Sequence, residues 1–149
     1  MLDGTSVPVG VVFLVVGRFF AMATWDDVRR LALELPNTSE GATFGHLAWL
    51  VQGKAFVWER PLRKSDIAAL GDAAPDGPIL GVHVEHEGIK HALIDSEPAV
   101  YFTTPHFNGY PAVLVRLDEI GTHELEELLV DAWLARAPKR LAKEYLSGR

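Results

Sequence analysis

Ala99-Val100-Tyr101-Phe102-Thr103-Thr104-Pro105-His106-Phe107-Asn108-Gly109-Tyr110-Pro111-Ala112-Val113-Leu114-Val115-Arg116-Leu117 is two apolar, β-branched runs separated by a break rich in turn residues. Runs of that length and composition read as strands, and Asn108-Gly109 is a dipeptide that supplies the positive φ angles of a tight turn. The stretch therefore predicts a hairpin of Ala99 to Thr103 with Ala112 to Leu117. Upstream, Leu47 to Val51 and Ala55 to Glu59 flank Gln52-Gly53-Lys54 and predict a second hairpin. Ile79 to Glu85 alternates, with Leu80, Val82 and Val84 on one side and Ile79, Gly81, His83 and Glu85 on the other. A strand that buries Leu80, Val82 and Val84 follows.

Helical spacing accounts for the rest. Trp25, Val28, Leu31, Ala32 and Leu35 recur every three or four residues behind Thr24 and Asp27, a short capping box, and Pro36-Asn37 ends the run. Glu87 to Ile94 carries Ile89, Ala92 and Leu93 at helical spacing and stops before Pro98. Thr122 is placed to cap a helix striped by Leu125, Leu128, Leu129, Ala132 and Trp133, and Pro138 suits the first turn of a helix from Lys139 to Leu146. Pro61 to Pro78 is a long connection with a short helix at Ser65 to Leu70. The order α-β-β-β-α-β-β-α(α) predicts an α+β fold, a five-stranded antiparallel sheet with helices on one face.

The chain has 149 residues, 48% hydrophobic and 23% charged, which is one ordinary globular domain and excludes a disordered tail or a fibrous repeat. Without cysteine there is no disulfide, thiolate metal site or cysteine nucleophile. A net charge of -6 argues against a general electrostatic grip on nucleic acid. Residues 1–21 hold the apolar run Val9 to Val16 but no Lys or Arg before it, unlike an export signal. The run is too short to span a bilayer. We read residues 1–21 as an extension, Met22 as the natural start, and 22–149 as the domain; a membrane or export signal and an extra strand are the alternatives for that segment.

Charge is unevenly spread. Arg136, Lys139, Arg140, Lys143 and Arg149 face one acid, Glu144, near the C-terminus. Cations in the first turn of a helix sit against its positive dipole end and leave room for an anion. The competing reading is that they neutralise Asp118, Glu119, Glu124, Glu126, Glu127 and Asp131 just before them. Arg60, Arg63 and Lys64 form a second basic group. The tips at Gln52-Gly53-Lys54 and Phe107-Asn108-Gly109 offer Lys54 and His106 for phosphate, and Phe107 or Tyr110 for base stacking; turn chemistry alone explains the same residues. His83, Glu85, His86 and His91 cluster, yet they match no zinc spacing, so no metal is expected. His46 and His106 lack a partner nucleophile, and no Gly-rich phosphate loop occurs, so neither catalysis nor a cofactor is expected.

Several segments together carry a family likeness: Trp25-Asp26-Asp27-Val28-Arg29 leading to Leu35-Pro36, then Glu40-Gly41, Phe44-Gly45 and Gly53-Lys54-Ala55-Phe56. The second half adds Val100 to Phe107, Tyr110 to Leu117, Glu127-Leu128-Leu129 and Ala132-Trp133 running to Ala137-Pro138-Lys139-Arg140-Leu141. In order and spacing the chain after Met22 resembles the MmcQ/YjbR family. The resemblance implies a small α+β domain similar to secretion-chaperone-like folds and to a double-wing DNA-binding shape. Members are commonly labelled DNA-binding on the strength of that shape, and the family supplies no catalytic residues. The expectation is a non-enzymatic cytoplasmic binding domain without a membrane span. Its leading partner is DNA, held through Arg136, Lys139, Arg140, Lys143, Arg60, Arg63, Lys64, His106 and Phe107. A protein-interaction or homodimerisation module, or a pocket for a small anionic ligand, is the alternative.

Overall fold

The computed structural model describes residues 22–148; the expectation of an N-terminal extension lies outside them. The elements are α1 (Trp25–Leu33), β1 (Thr38–Thr43), β2 (His46–Val51), β3 (Lys54–Glu59), α2 (Lys64–Leu70), β4 (Ile79–His83), α3 (Glu87–Ser96), β5 (Tyr101–Phe102), β6 (Ala112–Arg116), α4 (Thr122–Arg136) and α5 (Lys139–Ser147). All strand pairs are antiparallel, in the order β1-β2-β3-β4-β6-β5. The fold is α+β as expected, with six strands in place of five.

The added strand is β1, whose sequence Thr-Ser-Glu-Gly-Ala-Thr has no apolar alternation. It is a strand because β2 supplies its partner. Thr43 pairs with His46 across a two-residue turn, Phe44-Gly45, with φ of 50° and 81°. The β2–β3 turn, Gln52-Gly53, repeats that geometry at 49° and 84°. Positive φ at both central residues gives the backbone twist that keeps two strands paired.

One face of the sheet carries the main core. Thr24 Oγ1 accepts the Asp27 N–H at 3.3 Å, and Asp27 Oδ2 accepts the Thr24 N–H at 3.0 Å. The helix so capped buries Val28, Leu31 and Ala32. Helix α4 buries Leu125, Leu128, Leu129, Ala132 and Trp133, the predicted stripe. Its N-cap is Gly121, and Thr122 is already helical without a capping side-chain bond. Trp49, Trp133, Tyr101 and Phe56 are the largest apolar side chains buried here, each stabilising the fold by on the order of 1.5–3 kcal/mol. Trp133 Nε1 donates to the Pro36 carbonyl at 3.0 Å, which joins α4 to the end of α1.

The opposite face carries a second, smaller apolar cluster beside the main core. Ile79, Phe102, Phe107, Ala112 and Leu114 form a second apolar cluster, with Trp58, Leu62 and Leu70 against it. Every residue of β4 is therefore buried, including Ile79, Gly81 and His83. At Gly81 the sheet tolerates no side chain, because a Cβ would lie 2.4 Å from Trp58 Cε2. Strand β5 is shorter than predicted, two residues, and a 3-10 turn at Pro105–Phe107 opens the connection to β6.

Candidate functional site: a basic groove on the sheet

A groove of about 900 Å³ is lined by residues of β1, β2 and β3, by the segment after β3, by the β5–β6 connection and by the end of α4. Among the described residues its cations are Lys54, Arg60, Arg63 and Arg136, its histidines His46 and His106, and its one carboxylate is Glu59. In a chain of net charge -6 this is a marked segregation of positive charge. The lining runs from the Phe44 turn at one end of β2 to Gly53 and Lys54 at the other, a length of roughly 17 Å at the usual strand rise.

Lys54 and Arg63 are exposed. Arg136 is half-buried at the last turn of α4, and its Nε donates to the Ala55 carbonyl of β3 at 3.2 Å. That bond fixes the guanidinium beside the sheet. The same charge bears on His83, whose imidazole is pushed down to about 4, first by burial and then by Arg136. His83 is thus neutral near pH 7.

Arg60 behaves differently. It is buried, and its Nη1 lies 3.0 Å from Asp66 Oδ2 and 2.6 Å from the Pro61 carbonyl. Its guanidinium stacks on the Phe107 ring, 5.2 Å from the centroid. Burial opposes ionisation of Asp66, but the Arg63 N–H, donated at 2.9 Å, and the charge of Arg60 outweigh it and hold the carboxyl below its ordinary range. A cation already matched by a buried carboxylate adds little to the groove's field.

The wall opposite the hairpins is the Pro105 to Tyr110 segment. It is held from beneath by Lys90, a fully buried lysine of α3. Its ammonium donates to the carbonyls of Phe107 at 2.6 Å and Tyr110 at 2.9 Å, and to Glu87 at 3.2 Å. Phe107 is buried within the second cluster, whereas Tyr110 and His106 are exposed. Phe44 is 89% exposed at the far rim.

Of the residues singled out from sequence, the groove brings together Arg60, Arg63, His106, Phe107 and Arg136. Lys64, at the start of α2, and Lys139, Arg140 and Lys143, on α5, are exposed but do not line it. Among the described residues no ion pair joins the α4 acids to those α5 cations. Two of the acids have other partners: Glu124 accepts the Tyr101 hydroxyl at 2.7 Å, and Glu127 faces His123. The histidine cluster is dispersed: His86 Nδ1 accepts the Gly88 N–H at the start of α3, and His91 faces Glu87 at 3.2 Å. Among the described residues no three His, Asp or Glu side chains converge as metal ligands. No described helix is long and apolar enough to cross a membrane. Sequence reasoning missed Asp66 and Lys90 as supports of the groove. It also missed Phe44, whose one signal was a two-residue X-Gly break before an apolar run.

The fold and groove define a small α+β domain with a twisted antiparallel sheet, one face packed against helices and the other bearing a basic, aromatic-rimmed cleft. The chain belongs to the YjbR family, whose model matches residues 33–135. The uncharacterized protein Rv2570 of Mycobacterium tuberculosis (strain ATCC 25618 / H37Rv) is 57% identical over 130 residues, 85% of this chain and 98% of the relative. The uncharacterized protein Mb2600 of Mycobacterium bovis matches to the same extent. The crystal structure of Deinococcus radiodurans protein DR2400, with a DUF419 domain, superimposes with a TM-score of 0.56 over 76% of this chain and 78% of that one, at 24% identity. That likeness supports the fold.

Proposed function

We propose that this YjbR-family domain is a non-enzymatic nucleic-acid-binding protein whose sheet groove takes the phosphate backbone of DNA. What carries the reading is the gathering of Lys54, Arg63 and Arg136 in one elongated cleft of an otherwise acidic chain. Cations spread along a cleft, with Lys54 and Arg136 at the start of β3 and Arg63 beyond its end, suit a linear polyanion better than a compact ion, because phosphates are met at separate positions. Phosphate contacts of this kind position a strand without reading its sequence. Arg60, whose charge is matched by Asp66, is left out of the phosphate path in this reading.

Lys139, Arg140 and Lys143 add a second positive surface outside the groove, which steers an approaching strand without lining its seat. The acidic remainder keeps affinity modest and salt-sensitive. Three phosphate contacts give a log-log salt slope of roughly -2 for a single strand and somewhat steeper for duplex. Fluorescence anisotropy with labelled single-stranded and duplex DNA, titrated across salt concentrations, tests the proposal. Binding in the micromolar range at low salt with about that slope is the expected result. Absence of binding to either form at tens of micromolar protein and low salt overturns it.

A further inference from the structure

We infer that Phe44 is a stacking contact for an unpaired base, so that the groove selects single-stranded over duplex nucleic acid. The inference rests on the proposed nucleic-acid reading and names the form of ligand the same groove takes.

Three non-glycine residues among those described have positive φ: Asn37 at 55°, Gln52 at 49° and Phe44 at 50°. Asparagine is a residue that adopts this conformation readily, and a bulky aromatic is not. Gln52 occupies the equivalent place in the neighbouring two-residue turn, so the fold there is satisfied by a polar side chain. Phe44 therefore combines an unfavourable backbone with an unfavourable surface. At 89% it is the most exposed of the large hydrophobic residues among those described, well above Leu146 at 55%. Neither feature helps the turn, whose best first residue is asparagine. Strain of this kind persists where a function over-determines it.

Its placement says what the function is. Phe44 lines the same groove as Lys54, Arg63, Arg136 and Tyr110. A flat apolar ring at one end of a groove whose other end carries Lys54 and Arg136 matches a ligand that repeats flat faces and phosphates along its length, which is a strand of unpaired nucleotides. In a duplex the faces of the bases are covered by their neighbours, so the ring finds nothing to cover. In a single strand each base offers one, whatever its identity.

The test is F44N and F44W beside the wild-type chain, read by thermal melting and by anisotropy with oligo(dT) and with a duplex of equal length. Asn-Gly is the preferred pair for this turn, so F44N folds and melts at or above the wild-type temperature. Its affinity for oligo(dT) falls by about fivefold or more, its duplex affinity is unchanged, and F44W binds oligo(dT) as well as the wild type. Wild-type binding that is salt-dependent but equal for both DNA forms, or F44N that binds oligo(dT) normally, overturns the stacking role and leaves the nucleic-acid reading standing. A dimer that F44N converts to monomer with oligo(dT) affinity intact also overturns it, by assigning the ring to self-association. Wild-type protein that binds neither form removes the underlying reading and this inference with it.

Discussion

Removing either member of the Arg60–Asp66 pair should cost far more than removing both. Their side chains are 7% and 2% exposed, so neither charge can turn to water when its partner is lost. Truncating one member of such a pair costs about 3–5 kcal/mol, because an uncompensated charge stays buried. D66L should reach that range, since Arg60 Nη2 already lacks a hydrogen-bond partner. R60M should fall at its lower end, because a carboxyl can take up a proton. In R60M/D66L the buried charges go together. What remains lost is the bond from the Arg63 N–H to Asp66, the bond from Arg60 Nη1 to the Pro61 carbonyl and the stacking of Arg60 on Phe107, about 2 kcal/mol in all. The singles thus sum to more than about 6 kcal/mol and the double falls several kcal/mol short of the sum. Urea denaturation at pH 7, with similar slopes in all four proteins, measures this. Asp66, with its depressed pKa, contributes stability above the ordinary aspartate value that is lost as pH falls through the native one; the double variant lacks that loss. Single effects that simply add would refute the buried-pair reasoning. On the proposed reading, in which Asp66 rather than phosphate holds Arg60, the double variant should also keep the wild-type salt slope for DNA.

Three further outcomes follow from particular contacts. K54A and R63A, both at exposed positions of the groove, should leave the urea midpoint unchanged while each lowers the salt slope for single-stranded DNA by about 0.7; an unchanged slope in both would remove them from the phosphate path. His83, depressed to about 4, binds a proton in the unfolded chain before it does so in the native one, so stability falls as pH drops from about 6.5 towards 4, by about 3 kcal/mol for this group alone. H83F should flatten that part of the profile between pH 7 and 4.5, and an unaltered profile would count against it. G81A places a methyl group against the Trp58 ring and should destabilise by about 1–3 kcal/mol, measured by the same melts, whereas a neutral result would mean that the ring is free to move.

Helices α1 and α4 were legible because an amphipathic stripe is a local pattern: Leu125, Leu128, Leu129, Ala132 and Trp133 are close along the chain and closer on the helix. The hairpin of β2 and β3 was legible for the same reason, its turn residues lying between its strands. Strand β1 was not, since Thr38 to Thr43 has no apolar face and becomes a strand through pairing with β2. The alternation of Ile79 to His83 misled because it reports one buried face and is blind to whatever covers the other, here the second cluster. The basic residues were visible as types, but whether each is free or matched was not: Arg60 and Arg63 stand three apart, and one is buried against Asp66 while the other is open to solvent.

The sequence by itself determined the α+β class, the antiparallel hairpins and the family, since periodicity, turn dipeptides and motif order are properties of neighbouring residues. The tertiary structure alone decided the groove. Its cations arrive from β3, the segment after it and the end of α4, more than eighty positions apart along the chain. Which charges meet there, with Arg60 matched by Asp66 and Arg136 held in place by the Ala55 carbonyl, depends on packing that brings distant segments within a few ångströms.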